Sequence, residues 1–395
     1  MPRNPVLDVF LTFLRLGATS FGGPVAHLAF FREVFVRERR WLDERGYAEL
    51  VALCQFLPGP SSSQVGVAIG LHRAGLRGAI AAWVAFTLPS AVIMIGVGVS
   101  LGYIDLVTWG GVLKGLKIAA VAVVAHALWG MARALCPDSS RLALAALSAL
   151  VVFLAPTALG QIAAIMLGAL LAPLFVPALS AGSGESLRVP YGQRTSLMAA
   201  GMFVLLLTGL PLAVMLAPDG LWLTMLDANY RSGALVFGGG HVVLPLLQAE
   251  MVGPGLVEQD RFLAGYGVAQ AMPGPLFSFG GFLGASAGGA GMGLLALLAI
   301  FLPGTLLVVA VLPFWDRLRM LRGVRRVLGG VNAAVVGLLA AALANPILPA
   351  GIQSIGDGVM ALLALVVIAS RRVPVWLIVI ACGFGGLALH GLEGG

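Results

Sequence analysis

Charge is scarce in this chain. Asp, Glu, Lys and Arg together make up 10% of its 395 residues, against about 25% in an average soluble domain. Apolar residues reach 59%, and near-continuous apolar stretches long enough to cross a bilayer recur from end to end. The short alternating segments typical of a membrane β-barrel are missing. The composition therefore predicts an all-α polytopic membrane protein whose first partner is the lipid bilayer.

Residues that carry catalysis or hold cofactors are also few. Cys54, Cys136 and Cys382 are far apart and form no Cys-x-x-Cys pair, so they give neither a disulfide framework nor the spacing of a metal site. The sequence has no Gly-x4-Gly-Lys-Ser/Thr phosphate loop and no Ser/His/Asp constellation. We therefore expect no cofactor and no metal. An intramembrane enzyme or a lipid-handling protein is an alternative class, but it would need a nucleophile or metal cluster that we do not find.

The net charge of +7 comes from small arginine clusters. In a soluble protein such a balance would suggest nucleic acid as a partner. Here the arginines lie between apolar runs, and basic loops of this kind stay on the cytoplasmic side of a membrane. We therefore expect no nucleic-acid partner.

Two sequence motifs occur twice in the chain. An Arg-x-Gly-x-x-x-Phe-Gly-Gly pattern runs from Arg15 to Gly23 and again from Arg231 to Gly239. A Gln-x-x-Pro-Gly-Pro pattern follows each copy, at 55–60 and at 270–275. The offset between copies is 237 − 21 = 216 for the first motif and 270 − 55 = 215 for the second. Two motifs repeated in nearly the same register predict an internal duplication.

The charge pattern predicts how the two copies are oriented. We expect an N-terminal half at 1–178, a linker loop and connecting span at 179–217, and a C-terminal half at 218–395, with nine full crossings and four hairpins in all. If the arginine-rich stretch 37–45 is cytoplasmic, the other basic loops are cytoplasmic only when the halves have opposite orientations. This predicts an inverted-topology repeat, an architecture of secondary transporters that place a site near the midplane.

Both motifs contain residues that stop a helix inside the membrane. Proline cannot supply the ladder hydrogen bond, so neither Pro-Gly-Pro nor Gly-Gly-Pro continues a helix. The limbs on either side hold about twelve to sixteen residues, or about 18–24 Å at about 1.5 Å per residue. That is short of the roughly 30 Å hydrocarbon core. We predict broken, re-entrant helices, with kinked full spans as the alternative.

The candidate anion-binding residues surround these breaks. A helix that begins inside the membrane points free N–H groups and the positive end of its dipole at the interior, where they attract oxyanions. Neighbouring hydroxyl, amide and imidazole groups add donors, and an arginine at this depth needs a cavity or a partner. The predicted substrate-binding residues are Arg15, Gly22, Gly23, Gln55, Ser61, Ser62, Ser63, Arg231, Gly238, Gly239, His241, Gln270 and Ser278.

Structural roles are open for the same residues. Glycines permit close helix packing and serines cap helices. Asp227 lies four residues before Arg231 and could hold it in an ion pair, whereas Arg15 has no carboxylate at either four-residue position. Glu33, Glu250 and His27 are candidate proton carriers. The alternative is an interfacial position for the two glutamates and a satisfied polar group for His27.

The repeated motifs resemble those of the chromate ion transporter family in its long, two-domain form. The residues that carry the resemblance are Phe21-Gly22-Gly23-Pro24, Gln55-Phe56-Leu57-Pro58-Gly59-Pro60, Phe237-Gly238-Gly239-Gly240 and Met272-Pro273-Gly274-Pro275. The resemblance implies a multi-pass protein of the inner (plasma) membrane that exports chromate, driven by the proton gradient. It implies sulfate, a similar tetrahedral dianion, as a competing or alternative substrate. A passive anion channel of the same fold is the alternative function, and the glycine-rich spans would allow a homodimer.

Overall fold

The computed structural model describes residues 4–100, 106–176, 191–217, 220–237, 240–318, 321–370 and 372–393. Over these ranges the chain is helical and forms no strand, so the prediction of an all-α polytopic protein is confirmed. The helices are α1 Pro5–Thr19, α2 Gly23–Arg32, α3 Glu44–Phe56, α4 Ser61–Ser100, α5 Leu106–Leu135, α6 Ser139–Leu154, α7 Ala158–Phe175, α8 Gln193–Leu216, α9 Leu221–Ala234, α10 Val243–Met251, α11 Gln259–Ala271, α12 Phe279–Val311, α13 Trp315–Leu318, α14 Arg322–Ala342, α15 Leu348–Gly351, α16 Ile355–Ser370 and α17 Val375–Glu393.

The apolar helices fall on the predicted crossings. Within the described ranges, five helices are long and apolar enough to cross a membrane, and four shorter apolar helices accompany them. Together these segments, five plus four, lie where the sequence predicts nine crossings. In α8, the predicted connecting span, only 11% of the most apolar stretch is buried. This helix therefore lies at the outside of the bundle.

Two of the long helices are each folded back on themselves. Gly75 in α4 has φ 64° and Gly289 in α12 has φ 78°, a left-handed region that glycine reaches without strain. In α4 the chain reverses there, because the carbonyl group of Gly78 lies against Gly70. A straight helix would hold these two residues about 12 Å apart. Gly284 meets the opposite limb of α12 in the same way. Each helix is thus a short limb followed by a span.

The chain also reverses at the Phe-Gly-Gly breaks. α1 begins with Asn4 as its N-cap and packs its apolar face against the helix that follows the break. The ring of Phe13 lies 5.5 Å from that of Phe31 and stacks on that of Phe35 at 4.8 Å, centroid to centroid. These rings can meet only if α1 and α2 are antiparallel limbs. The hairpin form of the break is therefore present, not the kinked full span.

Two contacts between the predicted halves fit the predicted topology. On the cytoplasmic side, Trp315 Nε1 donates to Glu49 Oε2 at 3.0 Å. Toward the opposite side, Lys117 Nζ, inside the predicted crossing at 106–132, donates to Asp260 Oδ1 at 3.0 Å. The structure contains no bilayer, so the opposite orientation of the halves stays a prediction, with which these contacts agree.

Candidate functional site

Each Pro-Gly-Pro turn lies against the broken helix of the other predicted half. The N–H of Gly59 donates to the carbonyl oxygen of Val236 at 2.7 Å, and the N–H of Gly274 donates to that of Ser20 at 2.9 Å. The two bonds join equivalent positions of the repeat, since 236 − 20 = 216 and 274 − 59 = 215. The four breaks that the sequence predicts to gather are therefore paired across the halves, two by two.

Side chains extend each contact into the neighbouring span. Ser278 Oγ lies 2.6 Å from Ser90 Oγ of α4. Gln64 Nε2 donates to the carbonyl oxygens of Pro58, at 2.8 Å, and Gly304, at 3.2 Å. The sequence predicts Ser278 here but not Ser90 or Gln64. Gln64 directly follows the three serines after the first Pro-Gly-Pro turn, and Ser90 follows Pro89 inside an apolar run. Polar residues beside prolines are the signal that could have identified them.

His27 is fully buried beside the first break. Its Nε2 lies 3.1 Å from the carbonyl oxygen of Ser20, and its Nδ1 lies 3.3 Å from Ser62 Oγ. A carbonyl oxygen only accepts, so Nε2 carries the proton and, in the neutral ring, Nδ1 accepts from the serine hydroxyl. The Ser20 carbonyl oxygen therefore accepts hydrogen bonds from both His27 Nε2 and the N–H of Gly274. This arrangement holds the break in place, and the predicted proton-carrying role of His27 stays a prediction.

Several buried donors near the breaks have no hydrogen-bond partner among the residues that the structure describes. They include the hydroxyl groups of Ser20, Ser63, Thr87 and Ser232 and the amide nitrogen of Gln270. A buried donor left unsatisfied costs about 1–3 kcal/mol, and such groups in native structures call for an explanation such as an absent ligand or water. A bound oxyanion would accept hydrogen bonds from groups of this kind.

Arg15 lies on the exposed face of α1. It shares this face with Leu7 and Leu11, whose side chains are 50% and 48% exposed. Among the residues that the structure describes, none forms an ion pair or hydrogen bond with its guanidinium group. Its positive charge is thus uncompensated within this part of the chain, in a stretch predicted to lie inside the membrane.

Arg231, the equivalent residue of the second half, is held by two carboxylates. Its guanidinium group lies 2.8 Å from an oxygen of Asp227 and 2.8 Å from one of Glu250. Asp227 is the partner that the sequence offers as the alternative to substrate contact. Glu250, nineteen residues away on α10, is brought there by the hairpin. The two motif arginines therefore differ in charge environment.

The glycines of the first Phe-Gly-Gly break have left-handed backbones. Gly22 has φ 101° and Gly23 has φ 75°, and a side chain at either position would strain the turn into α2. Ser61, the first residue of α4, is partly exposed. The equivalent glycines Gly238 and Gly239 lie outside the described residues.

Among the described residues, no hydrogen bond joins the remaining predicted residues to the paired breaks, although the turn that carries His241 packs against the turn that carries Ser278. Gln55 is exposed. His241 Nδ1 lies 2.8 Å from the hydroxyl of Tyr266. Glu33 accepts from Arg37 at 2.9 Å in an exposed ion pair. Their predicted roles stay predictions.

A cavity of about 230 Å³ lies between α7, α10 and the end of α14. Its lining includes Gln161, Gln248, Gln259 and Asn345. Within the described ranges, the side-chain oxygen of Gln161 and the side-chain nitrogen of Gln259 have no hydrogen-bond partner. The cavity is large enough for ordered water and lies on the side of the bundle that the predicted topology places outside the cell.

Comparison with known proteins decides the family. The sequence model of the family described as chromate transporter matches residues 7–174 and 223–387, which is most of the chain. The chain belongs to the chromate transporter family. As a member of that family with several spanning helices, it is a multi-pass protein of the plasma membrane.

Chromate transporter relatives match over most of their length. The chromate transport protein of Cupriavidus metallidurans is 27% identical over 373 residues, covering 93% of this chain and 88% of that protein. That of Pseudomonas aeruginosa is 27% identical over 350 residues, covering 85% and 79%. An uncharacterized transporter of Methanocaldococcus jannaschii is 27% identical over 346 residues, covering 86% and 84%. No solved structure shows significant similarity to the chain.

Proposed function

We propose that this protein exports chromate across the plasma membrane and that the oxyanion binds where the Pro-Gly-Pro turns meet the broken helices. The observation that carries the proposal is the reciprocal pair of backbone hydrogen bonds, Gly59 to Val236 and Gly274 to Ser20. These bonds aim main-chain N–H groups of both turns at the contact between halves. Sulfate has the same charge and tetrahedral shape, so we include it as a competing substrate.

Electrostatics favour a dianion at the first break. A doubly charged ion leaves water only if donors and positive charge replace its hydration shell. The start of α2 contributes the positive end of a helix dipole, and the start of α4 contributes another. Arg15 adds a full positive charge that no described carboxylate neutralises. The unpartnered hydroxyls of Ser20 and Ser63 add donors.

The interlocked halves favour a carrier over a passive channel. Two backbone hydrogen bonds close the contact between the breaks, so passage requires the halves to move apart and together again. Export then draws on the proton-motive force. An inside-negative potential of 100 mV contributes about 2.3 kcal/mol per charge moved, or about 4.6 kcal/mol for a dianion. A channel of the same fold would instead conduct without dependence on a proton gradient.

Transport into proteoliposomes tests the proposal. We would measure radiolabelled chromate movement with a pH gradient, with a membrane potential and with neither, for wild type, Arg15→Ala and Arg15→Lys. Losing a charge-assisted hydrogen bond costs about 1.5–3 kcal/mol, so Arg15→Ala is expected to lower transport about ten- to a hundredfold. Arg15→Lys keeps the charge and should retain part of the activity.

Arg32→Ala is the matched control, because Arg32 forms an exposed ion pair with Glu44 at 2.8 Å. It should transport like wild type. Equal transport by Arg15→Ala and Arg32→Ala would refute the role of Arg15. Chromate movement that follows the membrane potential but does not change with the pH gradient would favour the channel, and no chromate movement in wild type would refute the function.

A further inference from the structure

Three charged groups form an isolated cluster inside the second half. Arg231 lies between Asp227 and Glu250, and the side chains are 23%, 4% and 13% exposed. With both carboxylates ionised, the cluster carries a net charge of −1. A buried ion pair is usually balanced, because each uncompensated charge in a low-dielectric interior is costly. The cluster therefore holds one more negative charge than its arginine can neutralise.

Few other charged groups approach this cluster from the elements packed around it. α7 and α12 contain no ionisable residue over their described lengths. His241, in the turn before α10, is bonded to the hydroxyl of Tyr266. On α8 and α14 the ionisable residues lie in the first two turns: Arg194, Arg322, Arg325 and Arg326. α11 contacts α10 through the hydrogen bond from Gln248 to Gln259. Its Asp260 and Arg261 are paired with Lys117 and Glu258. Among the described residues, Arg231 is therefore the one cation in contact with the two carboxylates.

The cluster is close to the proposed anion site. Arg231 precedes Val236, whose carbonyl oxygen accepts from Gly59, by five residues. Asp227, one of the two carboxylates, lies nine residues before Val236, or about 13.5 Å at the helical rise per residue. At this separation, in a low-dielectric setting, a net charge of −1 repels an incoming dianion. A single proton on either carboxylate would remove that repulsion.

Glu250 is better placed than Asp227 to take up this proton. Asp227 is the more deeply buried of the two and lies one turn from Arg231 on the same helix. Glu250 is more exposed and stands one residue before the end of α10, next to the loop that the predicted topology places outside the cell. We propose that Glu250 is a proton-binding site and that its protonation admits the oxyanion to the adjacent break. This inference rests on the proposed function.

Joint binding of a proton and the dianion determines which component of the proton-motive force drives export. The proton and the dianion occupy the protein together, so they cross together and carry one net negative charge. The inside-negative membrane potential then drives export, while an acidic exterior opposes it. The electrical component of the proton-motive force is therefore the productive one.

The first experiment compares wild type with Glu250→Gln, which mimics the protonated carboxyl. Apparent chromate affinity is measured in proteoliposomes at equal internal and external pH between 6 and 8. Chromate itself changes protonation in this range, but identically for both proteins, so the ratio of affinities isolates the protein. Wild type is expected to approach the variant as pH falls, with a limit of tenfold per pH unit for one proton.

Glu258→Gln is the matched control, since Glu258 is 70% exposed and pairs with Arg261 on the same side. It should follow wild type at every pH. A constant ratio between wild type and Glu250→Gln would overturn the inference while leaving chromate transport by wild type intact. Absence of transport by wild type would instead refute the proposed function.

A second measurement needs no variant and so does not depend on its folding. Purified wild-type protein in weakly buffered detergent solution is mixed with chromate while an indicator reports pH, and a protein-free blank is subtracted. Anion binding is expected to draw up to one proton per protein from the medium near neutral pH. Proton release, or no exchange at any pH between 6 and 8, would overturn the inference.

Discussion

Substitution of Gly17 and Gly233 tests whether the site depends on close packing of α1 against α4 and of α9 against α12. A Cβ on Gly17 would lie 2.9 Å from the carbonyl carbon of Phe86, and one on Gly233 would lie 2.9 Å from that of Ile300. Ordinary carbon–carbon contacts begin near about 3.5 Å. Alanine at either position must therefore push the helices apart by about 0.6 Å or more. The displaced helix carries Arg15 in one half and Arg231 in the other.

Helix propensity alone would favour alanine over glycine at these positions, but we expect alanine to impair transport. Alanine stabilises a helix interior by about 1 kcal/mol relative to glycine, whereas overpacking costs about 1–3 kcal/mol. We expect Gly17→Ala and Gly233→Ala to fold but to transport chromate about tenfold more slowly or worse, because displacements near 1 Å in a binding site have effects of this order or larger. The assay is initial-rate chromate transport in proteoliposomes, normalised to folded protein by size-exclusion chromatography.

Gly96→Ala is the matched control in α4. No heavy atom lies within 4 Å of a Cβ at this position, so the substitution gains helix propensity without a clash. It should transport like wild type. If Gly17→Ala matched Gly96→Ala in rate, the packing of α1 on α4 would not position the site, and the reasoning would be refuted.

Two further predictions concern single polar groups. His27→Phe removes both hydrogen bonds of His27. The buried hydroxyl of Ser62 then loses its acceptor, so the free energy of unfolding should fall by about 1–3 kcal/mol. Chromate transport per folded protein should fall several-fold, and unchanged transport would show that the break does not need this support. Asp357→Asn weakens a fully buried acceptor that lies 3.1 Å from Lys114 Nζ and accepts from the N–H groups of Gln353 and Ser354. It should lower the free energy of unfolding by about 1–3 kcal/mol, seen as a lower unfolding midpoint in detergent, while an unchanged midpoint would contradict the importance of this pair.

The breaks could be predicted from sequence because their cause is local. Proline and glycine restrict or free the backbone at the residue itself, so Gly-Gly-Pro and Pro-Gly-Pro mark where helices stop. The hairpin reversals within α4 and α12, at Gly75 and Gly289, carry a weaker signal. Charged residues, Arg73 and Arg77, flank Gly75, as expected where a short limb ends at the membrane surface, and Gly289 directly follows Gly288. The sequence therefore predicts both positions as connections between a short limb and the next crossing.

The pairing of the breaks could not be predicted in detail. The bond from Gly59 to Val236 joins residues that are 236 − 59 = 177 positions apart, and the repeat indicates only that equivalent elements exist. Asp227 was visible as a partner for Arg231 because helical neighbours lie four residues apart. Glu250 was not, because its contact depends on the angle at which α10 returns along α9.

The reciprocal hydrogen bonds between the halves affect how the protein behaves when no anion is bound. Gly59 and Gly274 each give their N–H to a main-chain oxygen of the opposite half, so without cargo the protein satisfies these amides with itself. Separation of the halves would leave both N–H groups without an acceptor in the membrane interior, where no water replaces it. A tetrahedral oxyanion carries acceptor oxygens that would replace these carbonyl oxygens as partners of the amides. Anion binding would then weaken the bonds that hold the empty protein closed, so that the protein without an anion does not leak.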